Sequence, residues 1–257
     1  MDIIWIGFLA SLGAGLMTGL GAVPVLFGRQ VNRKVSDTML GFAAGVMISA
    51  SFFSLILPGI EAAQDNGHGV LGAALIAGGG IALGAAIVAL LNETLPHEHF
   101  IQGREGAEAK ALAKIWLFVV AITIHNFPEG LAVGVGFGGG RIANGLSLAT
   151  GIGLQNAPEG LAVAMALRGQ GYGPRKSFLV ALATGLVEPL GGLLGLIAVQ
   201  VSVAVLPWGL TFAAGAMLYI ISHEIIPETH RSGHQNAATA GLILGLILMM
   251  VLDVSLA

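Results

Sequence analysis

The sequence predicts an all-α membrane protein with eight transmembrane helices, and three observations support that prediction. Hydrophobic residues make up 55% of the 257-residue chain and charged residues only 10%, which gives a mean hydropathy of +0.87. Apolar runs long enough to cross a hydrocarbon core of roughly 30 Å recur along the chain. Lys and Arg lie between those runs or at their ends. This composition indicates a polytopic protein of the lipid bilayer, with no nucleic acid as a partner.

The predicted spans, numbered 1 to 8 in chain order, occupy most of the sequence. They are expected at about residues 3–27, 38–63, 70–92, 115–137, 144–167, 177–202, 206–227 and 237–255. Only Asp2 precedes span 1, so this span is expected to be retained and not cleaved as a signal peptide. The longest connection covers about 93–114, and residues 1–257 are expected to form a single transmembrane transporter domain.

The basic residues indicate how the chain is oriented in the membrane. Of the 11 Lys and Arg, only Arg141 lies on one side of the predicted membrane, and all others follow spans 1, 3, 5 and 7. Positive charge is enriched in cytoplasmic loops, so these four connections are expected in the cytoplasm. Both termini are then extracytoplasmic, in a multi-pass protein of the cell (inner) membrane.

Spans 4 and 5 carry two copies of one polar phrase. The copies are 125–130 (HNFPEG) and 155–160 (QNAPEG). Carboxylates, amides and prolines are costly in hydrocarbon, so the repetition predicts a site built from both copies. Because spans 4 and 5 run in opposite directions, the copies are related by a pseudo-two-fold axis in the membrane plane. This relation predicts a 3+2+3 arrangement, in which spans 1–3 and 6–8 form an inverted repeat around the central spans 4 and 5.

Three carboxylates are predicted at one depth near the middle of the bilayer. Glu129, Glu159 and Glu188 belong to spans 4, 5 and 6, and each lies roughly 17–22 Å along its span at about 1.5 Å per residue. Each would cost roughly 2.5 kcal/mol or more if unpaired at that depth. These spans contain no Lys or Arg, so the compensating charge is expected to be a metal cation or protons.

The neighbouring residues favour a metal ion. Positions three and four apart share a helix face, which brings an imidazole and amides beside the carboxylates. Pro128, Pro158 and Pro189 each leave a backbone carbonyl without its usual helical partner, and discontinuous helices of this kind form ion sites in transporters. There are no cysteines, so thiolate ligands are excluded. The candidate metal ligands are His125, Asn126, Glu129, Gln155, Asn156, Glu159 and Glu188.

Two further polar clusters flank the predicted centre. The candidate entrance residues on the outer side are Ser54, Glu61, Asp65 and His68. The candidate exit residues on the cytoplasmic side are Asp37, Asn92, Glu93, His97, His99, His223 and Glu224. The order of the clusters predicts a path from entrance to centre to exit.

An enzyme is not expected. A His-Glu pair in a membrane helix, such as His223-Glu224, suggests an intramembrane zinc protease, but that signature needs a second His three residues after the Glu. The position is Pro227. The sequence also contains no nucleophile elbow built around a Ser and no phosphate-binding loop.

These motifs, together with Glu188-Pro189, resemble those of the ZIP (Zrt/Irt-like) family of divalent-metal transporters, and most of all its GufA branch. The similarity covers all eight spans. The resemblance implies a two-metal transport site, a homodimer and an elevator-like movement of the helices that bear the site. It implies one ion held by His125, Glu129, Gln155 and Glu159, and a second held by Asn126, Glu129, Asn156, Glu159 and Glu188.

The sequence departs from the family pattern at two positions. Many members have an acidic residue where this chain has Asn156, so one negative charge is missing from the second ion position. Many have His where this chain has Gln155, and a harder oxygen ligand is expected to admit Cd²⁺, Fe²⁺ or Mn²⁺ beside Zn²⁺.

The sequence therefore predicts a carrier that moves Zn²⁺, and related divalent cations, from outside into the cytoplasm by alternating access. Two alternatives stay open. One is a proton-coupled carrier for an organic solute, in which the carboxylates form a proton relay. The other is a metal-sensing membrane protein that binds the ion without transporting it.

Overall fold

The computed structural model describes residues 3–28, 32–94, 108–138, 140, 142–169, 171–231 and 233–256, and these residues contain helices and no strand. The α-helices are α1 (Ile3–Leu26), α2 (Arg33–Ala50), α3 (Leu57–Asp65), α4 (Val70–Thr94), α5 (Glu108–Gly138), α6 (Ile142–Gly169), α7 (Pro174–Gly185), α8 (Glu188–Val201), α9 (Val205–Ile220), α10 (Ile226–His230) and α11 (Gln235–Leu256). The all-α prediction is confirmed.

Three of the predicted spans are interrupted, and the second half of each has a proline in its first turn. π-Helical segments at Ser51–Ile56 and Ile221–Ile225 lead into α3 and α10, where Pro58 and Pro227 lie in the first turn. A turn at residues 186–187 separates α7 from α8, which has Pro189 in its first turn. Proline lacks the N–H that would continue the helical hydrogen bonds, which explains why the helix changes there.

Six helical stretches among the described residues are long and apolar enough to cross a membrane. They are Ile3–Leu26, Arg33–Asp65, Val70–Leu91, Pro174–Val201, Val205–His230 and Gln235–Ser255. The helices with the repeated phrase, α5 and α6, are not among them. In α6 the polar phrase at 155–160 lowers the hydropathy, and several side chains in the first half of α5 lie outside the described part of the chain. The protein is a multi-pass membrane protein.

The helices pack into two groups. Helices α1, α5, α6, α7 and α8 contact one another and form what we call the site group. Helices α2, α3, α4, α9, α10 and α11 form the flanking group, in which α2 packs along α11 and α4 along α9. The two groups meet where α6 contacts α2 and where α5 contacts α9.

Glycines of the repeated phrase allow the backbones of the site group to touch. A Cβ added at Gly130 of α5 would collide with the backbone of Glu188 in α8, and one added at Gly160 of α6 would collide with the backbone of Thr18 in α1. Only a residue without a side chain fits such an approach. The close packing brings the glutamates next to these glycines into the interior.

Candidate metal centre

One imidazole and two carboxylates of the repeated phrase meet in the interior. His125 Nε2 lies 3.5 Å from Glu129 Oε1 and 3.6 Å from Glu159 Oε1. The three residues are only 2%, 0% and 3% exposed, in that order. Within the described residues, they are the one group of three or more His, Asp or Glu residues whose ligand atoms, one from each residue, all lie within 4.8 Å of one another. Ligand atoms at this spacing can bind one ion at about 2.0–2.2 Å each.

Two amides of α6 connect this cluster to its neighbours. Gln155 Nε2 donates a hydrogen bond to Glu129 Oε1 in α5. Asn156 Nδ2 donates to Glu188 Oε1 in α8 at 2.6 Å and to the carbonyl of Ala14 in α1 at 2.9 Å. The predicted ligands of α6 therefore lie against those of α5 and α8.

The same region contains many buried polar atoms that have no hydrogen-bond partner among the described residues. They are both ring nitrogens of His125, both amide atoms of Asn126, Glu129 Oε2, Gln155 Oε1, Asn156 Oδ1, both carboxylate oxygens of Glu159 and Glu188 Oε2. Leaving one such atom unsatisfied costs about 1–3 kcal/mol, so their concentration at one place is not explained by packing. Most of these atoms can offer a lone pair. The arrangement therefore suits a metal cation, which binds several electron-pair donors at once.

The charge of the cluster also needs compensation, by a metal cation or by protons. In the part of the chain that the structure describes, Glu129 and Glu159 make their ion-pair contacts with His125. One imidazole carries at most one positive charge, whereas Glu129, Glu159 and Glu188 carry up to three negative charges. If all three glutamates are ionised, at least two negative charges remain without a countercharge among the described residues.

A cavity of about 430 Å³ lies on the path predicted for the entrance and is lined by Ser54, Glu61, Asn144, Ser147 and Asp253, among others. The hydroxyls of Ser54 and Ser147 both donate to Asp253 Oδ1, and Asp253 Oδ2 has no hydrogen-bond partner in the part of the chain that the structure describes. Ser54 and Glu61 thus lie in one cavity. Asp65 and His68 are exposed, at the end of α3 and in the connection that follows it.

Asp253 is absent from the predicted entrance residues, although a signal for it exists. It is the one charged residue in span 8, at about 237–255, and an ionisable residue inside a membrane span marks a functional site by default. Its contacts with Ser54 and Ser147 join three helices that are far apart in the sequence.

One of the candidate exit residues, Asp37, lies among basic side chains. Asp37 is buried and contacts Arg33 at 3.2 Å and His234 at 2.8 Å, and Arg33 also pairs with Glu228 at 2.5 Å. His234 and Glu228 do not belong to the predicted exit cluster. Asp37 is therefore part of an ion-pair network between α2, α10 and the start of α11.

The remaining exit residues lie on several elements. His223 and Glu224 belong to the second π-helical segment, where the exposed His223 ring stacks on Tyr219 at a centroid distance of 5.0 Å. Asn92 and Glu93 lie near the end of α4. His97 and His99 lie outside the described residues.

Comparison with known proteins gives a consistent result. The family model described as ZIP zinc transporter matches residues 97–253. The chain is 48% identical to zinc transporter GufA of Myxococcus xanthus over 250 residues, which covers 97% of this chain and 98% of that protein. It is 46% identical to zinc transporter ZIPB of Bordetella bronchiseptica over 259 residues, with coverage of 98% and 82%. Zinc transporter ZIP11 of Homo sapiens is 36% identical, with coverage of 93% and 94%.

Proposed function

Since the chain belongs to the ZIP zinc transporter family, we propose that it carries Zn²⁺, and related divalent cations, across the membrane into the cytoplasm. The observation that supports this proposal most directly is the buried cluster of His125, Glu129 and Glu159. The cluster combines the negative charge of the carboxylates, a borderline nitrogen ligand and hard oxygen ligands, and lone pairs that have no hydrogen-bond partner. A metal ion satisfies all three conditions at once.

We propose that the ion binds to His125, Glu129, Glu159 and the side-chain oxygen of Gln155. Gln155 donates through Nε2 to Glu129 and keeps Oε1 without a partner, so its oxygen can bind an ion while that hydrogen bond stays in place. The unpartnered amide of Asn126 is available beside Glu129. A ligand set with three or more oxygens admits Cd²⁺, Fe²⁺ and Mn²⁺ as well as Zn²⁺.

For the route, we propose that cations enter through the cavity around Asp253. Carboxylates that line a cleft with low-dielectric walls raise the local concentration of cations, and Glu61 adds a second acidic side chain to this cavity. Asp65 and His68 extend this polar surface outward. Release on the cytoplasmic side would pass His223 and Glu224, with Asp37, Asn92, Glu93, His97 and His99 as further contacts.

The proposed architecture is a single transporter domain with eight transmembrane helices in the 3+2+3 arrangement, both termini outside the cytoplasm, in a homodimer in the cell (inner) membrane. The site group and the flanking group give a physical basis for an elevator-like step. The proposed ligands belong to the site group alone, so movement of that group against the other would carry the ion with its ligands.

The test is zinc entry into liposomes that contain the purified chain and an internal zinc indicator. Glu129→Ala combined with Glu159→Ala should abolish chelator-sensitive entry, because the cluster loses both carboxylates. Gln200→Ala, which removes an exposed polar side chain of α8, serves as the matched control and should transport as the parent does. Equal transport by parent and double variant would refute the proposal. Zinc binding without entry by the parent would instead indicate a sensor.

A further inference from the structure

Two aromatic rings and two basic side chains lie together at one end of the site group. Trp116 of α5 donates a hydrogen bond from Nε1 to the hydroxyl of Tyr172 at 2.8 Å, and the rings meet edge to face at a centroid distance of 6.1 Å. Tyr172 lies in the connection between α6, which has Arg168 in its last turn, and α7, which has Lys176 in its first turn. We call these four residues the basic aromatic cluster.

The rings hold the ammonium group of Lys176 in place. Its Nζ lies 4.6 Å from the ring centroid of Tyr172 and 5.9 Å from that of Trp116, which is the range of a cation–π interaction. The ring faces attract the charge, yet they are not the oxygen or nitrogen acceptors that an ammonium normally binds. Neither Lys176 nor Arg168 forms an ion pair with another described residue. Lys176 is thus ordered and still able to donate to an anion.

The other members of the cluster also offer hydrogen-bond donors. Arg168 Nη1 donates to the carbonyl oxygen of Tyr172 at 2.6 Å, which fixes the guanidinium beside the rings and leaves its other N–H groups available. The hydroxyl of Tyr172 accepts from Trp116, and its own hydrogen has no acceptor in the described part of the chain. Two positive charges and several donors at one place match the oxygens of a phosphate group.

An apolar stripe begins next to the cluster and continues along α7 and α8. Leu179, Leu186, Leu190 and Leu194 follow Lys176 at helical spacing, and all of them are exposed. They belong to the stretch Pro174–Val201, which is long and apolar enough to cross a membrane. Exposed leucines in such a stretch contact acyl chains, and Trp and Tyr are enriched where the membrane meets water. The cluster therefore lies at headgroup level, at the end of a lipid-facing surface.

We propose that the basic aromatic cluster binds the headgroup of an anionic phospholipid, whose acyl chains lie along the exposed face of α7 and α8. The stripe favours a lipid over free phosphate, because only a lipid can use the apolar surface. The cluster lies on the side that the basic residues predict to be cytoplasmic, where anionic lipids attract Lys and Arg. The site is separate from the buried metal centre, so this inference does not depend on zinc transport.

The test uses Trp116 as a reporter of the lipid beside it. The chain has three tryptophans, so Trp5→Phe with Trp208→Phe leaves Trp116 as the single fluorophore. This full-length chain is placed in phosphatidylcholine vesicles with rising fractions of phosphatidylglycerol whose acyl chains carry bromine near the headgroup, because bromine quenches tryptophan on contact. Brominated phosphatidylcholine is compared in parallel. We expect phosphatidylglycerol to reach half-maximal quenching at a mole fraction about tenfold lower, since two cations attract it.

Variants of the same single-tryptophan chain show whether the cluster causes this preference. Arg168→Gln with Lys176→Gln removes both charges and should make the two lipids quench equally. Arg168→Lys with Lys176→Arg keeps both charges and should retain the preference. Lys34→Gln is the matched control, since it removes an exposed cation near the start of α2, and should behave as the parent does.

Glycerophosphoglycerol, the headgroup without acyl chains, distinguishes a lipid site from a site for a dissolved anion. We expect it to leave the quenching by brominated phosphatidylglycerol unchanged when it is added in excess. Reversal of the quenching by this compound would overturn the proposal, because the site would then bind a free anion. Equal quenching by the two lipids in the parent, or a preference that persists in Arg168→Gln with Lys176→Gln, would overturn it as well.

Discussion

The hydroxyl of Ser147 donates a hydrogen bond to the carboxylate of Asp253, which links α6 of the site group to α11 of the flanking group. Ser54 donates to the same carboxylate oxygen, and the other oxygen of Asp253 has no hydrogen-bond partner within the described ranges of the chain. An acidic side chain thus lies in the wall of the cavity that Ser54, Ser147 and Asp253 line, where the two helix groups meet.

Removing the charge of Asp253 should slow the capture of ions at low concentration. In Asp253→Asn the side-chain oxygen still accepts from both serines, so the shape of the cavity is retained. We expect the KM for zinc entry to rise roughly threefold to tenfold with little change in the maximal rate, because the cavity attracts cations less strongly. Initial rates measured in liposomes over a range of zinc concentrations check this.

The effect of Asp253→Asn should also shrink as salt is added, since screening weakens the attraction in the parent. Ser147→Ala is the matched control, because it removes a hydrogen bond to Asp253 and leaves its charge. An Asp253→Asn variant whose KM equals that of the parent at low ionic strength would show that this carboxylate plays no part in capture.

Part of the arrangement of side chains inside the site group can be predicted from the sequence alone. The repeated phrase on two antiparallel helices, with Glu188 on the next, predicts that Glu129, Glu159 and Glu188 lie at one depth. In the structure Glu129 and Glu159 lie within 3.6 Å of His125 Nε2, and Glu188 accepts a hydrogen bond from Asn156. Helical periodicity and rise per residue are local quantities, so they can be calculated without knowing the fold.

Other features of the site depend on contacts between distant segments. The pairing of Ser54 with Asp253 joins residues 199 positions apart, and that of Asp37 with His234 joins residues 197 apart. Residue types do not reveal such pairs. The sequence likewise gives Asn156 as an amide, but which end of it faces Glu188 depends on the acceptors that α1 and α8 bring close.

A methyl group at Gly160 should destabilise the protein strongly. The added Cβ would collide with the backbone of Thr18, and a backbone cannot rotate away as a side chain can. Overpacking of this kind costs about 1–3 kcal/mol, and separating α1 from α6 would also weaken the Asn156 hydrogen bond to Ala14. We expect Gly160→Ala to lower the thermal unfolding midpoint in detergent and to reduce zinc entry.

Gly13 provides the control for Gly160, because nothing lies within 4 Å of the position that a Cβ would take there. It also lies within a helix, α1, where alanine is preferred to glycine by up to about 1 kcal/mol. Gly13→Ala should leave the unfolding midpoint unchanged or raise it. If Gly160→Ala behaved in the same way, the close contact of α1 and α6 would not contribute to stability.

Arg33 should stabilise the junction of α2 with α10. It pairs with Asp37 at 3.2 Å and with Glu228 at 2.5 Å, and both acids are buried. Its own side chain is 48% exposed, so solvent screens part of the attraction, and His234 still contacts Asp37 when Arg33 is removed. We therefore expect Arg33→Ala to cost about 1–2 kcal/mol, below the range for a fully buried pair.

Thermal unfolding of Arg33→Ala measures this cost, and Lys34→Ala is its control, since Lys34 is an exposed cation at the adjacent position. Lys34→Ala should change the midpoint little, because single exposed charges contribute about 0–1 kcal/mol. Equal midpoints for the two variants would show that the network of Asp37 and Glu228 does not depend on Arg33.

Replacing Gln155 by histidine should sharpen the preference for zinc. The carbonyl oxygen of Gln155 is the ligand type that suits Mn²⁺, whereas imidazole suits Zn²⁺. In Gln155→His the proposed ligand set has two imidazoles and two carboxylates. We expect the ratio of Zn²⁺ to Mn²⁺ affinity to rise about tenfold, or about 1.4 kcal/mol, because nitrogen replaces oxygen at one ligand position. Competition between the two ions for entry into liposomes gives this ratio.

The control for Gln155→His is Gln200→His, the same exchange at an exposed position of α8. It adds an imidazole to the protein without adding one to the buried cluster, so the selectivity ratio should stay at the parent value. A ratio that also stayed constant in Gln155→His would mean that residue 155 does not contact the ion. Its unpartnered oxygen would then need another explanation, because a buried amide oxygen is rarely left without a partner.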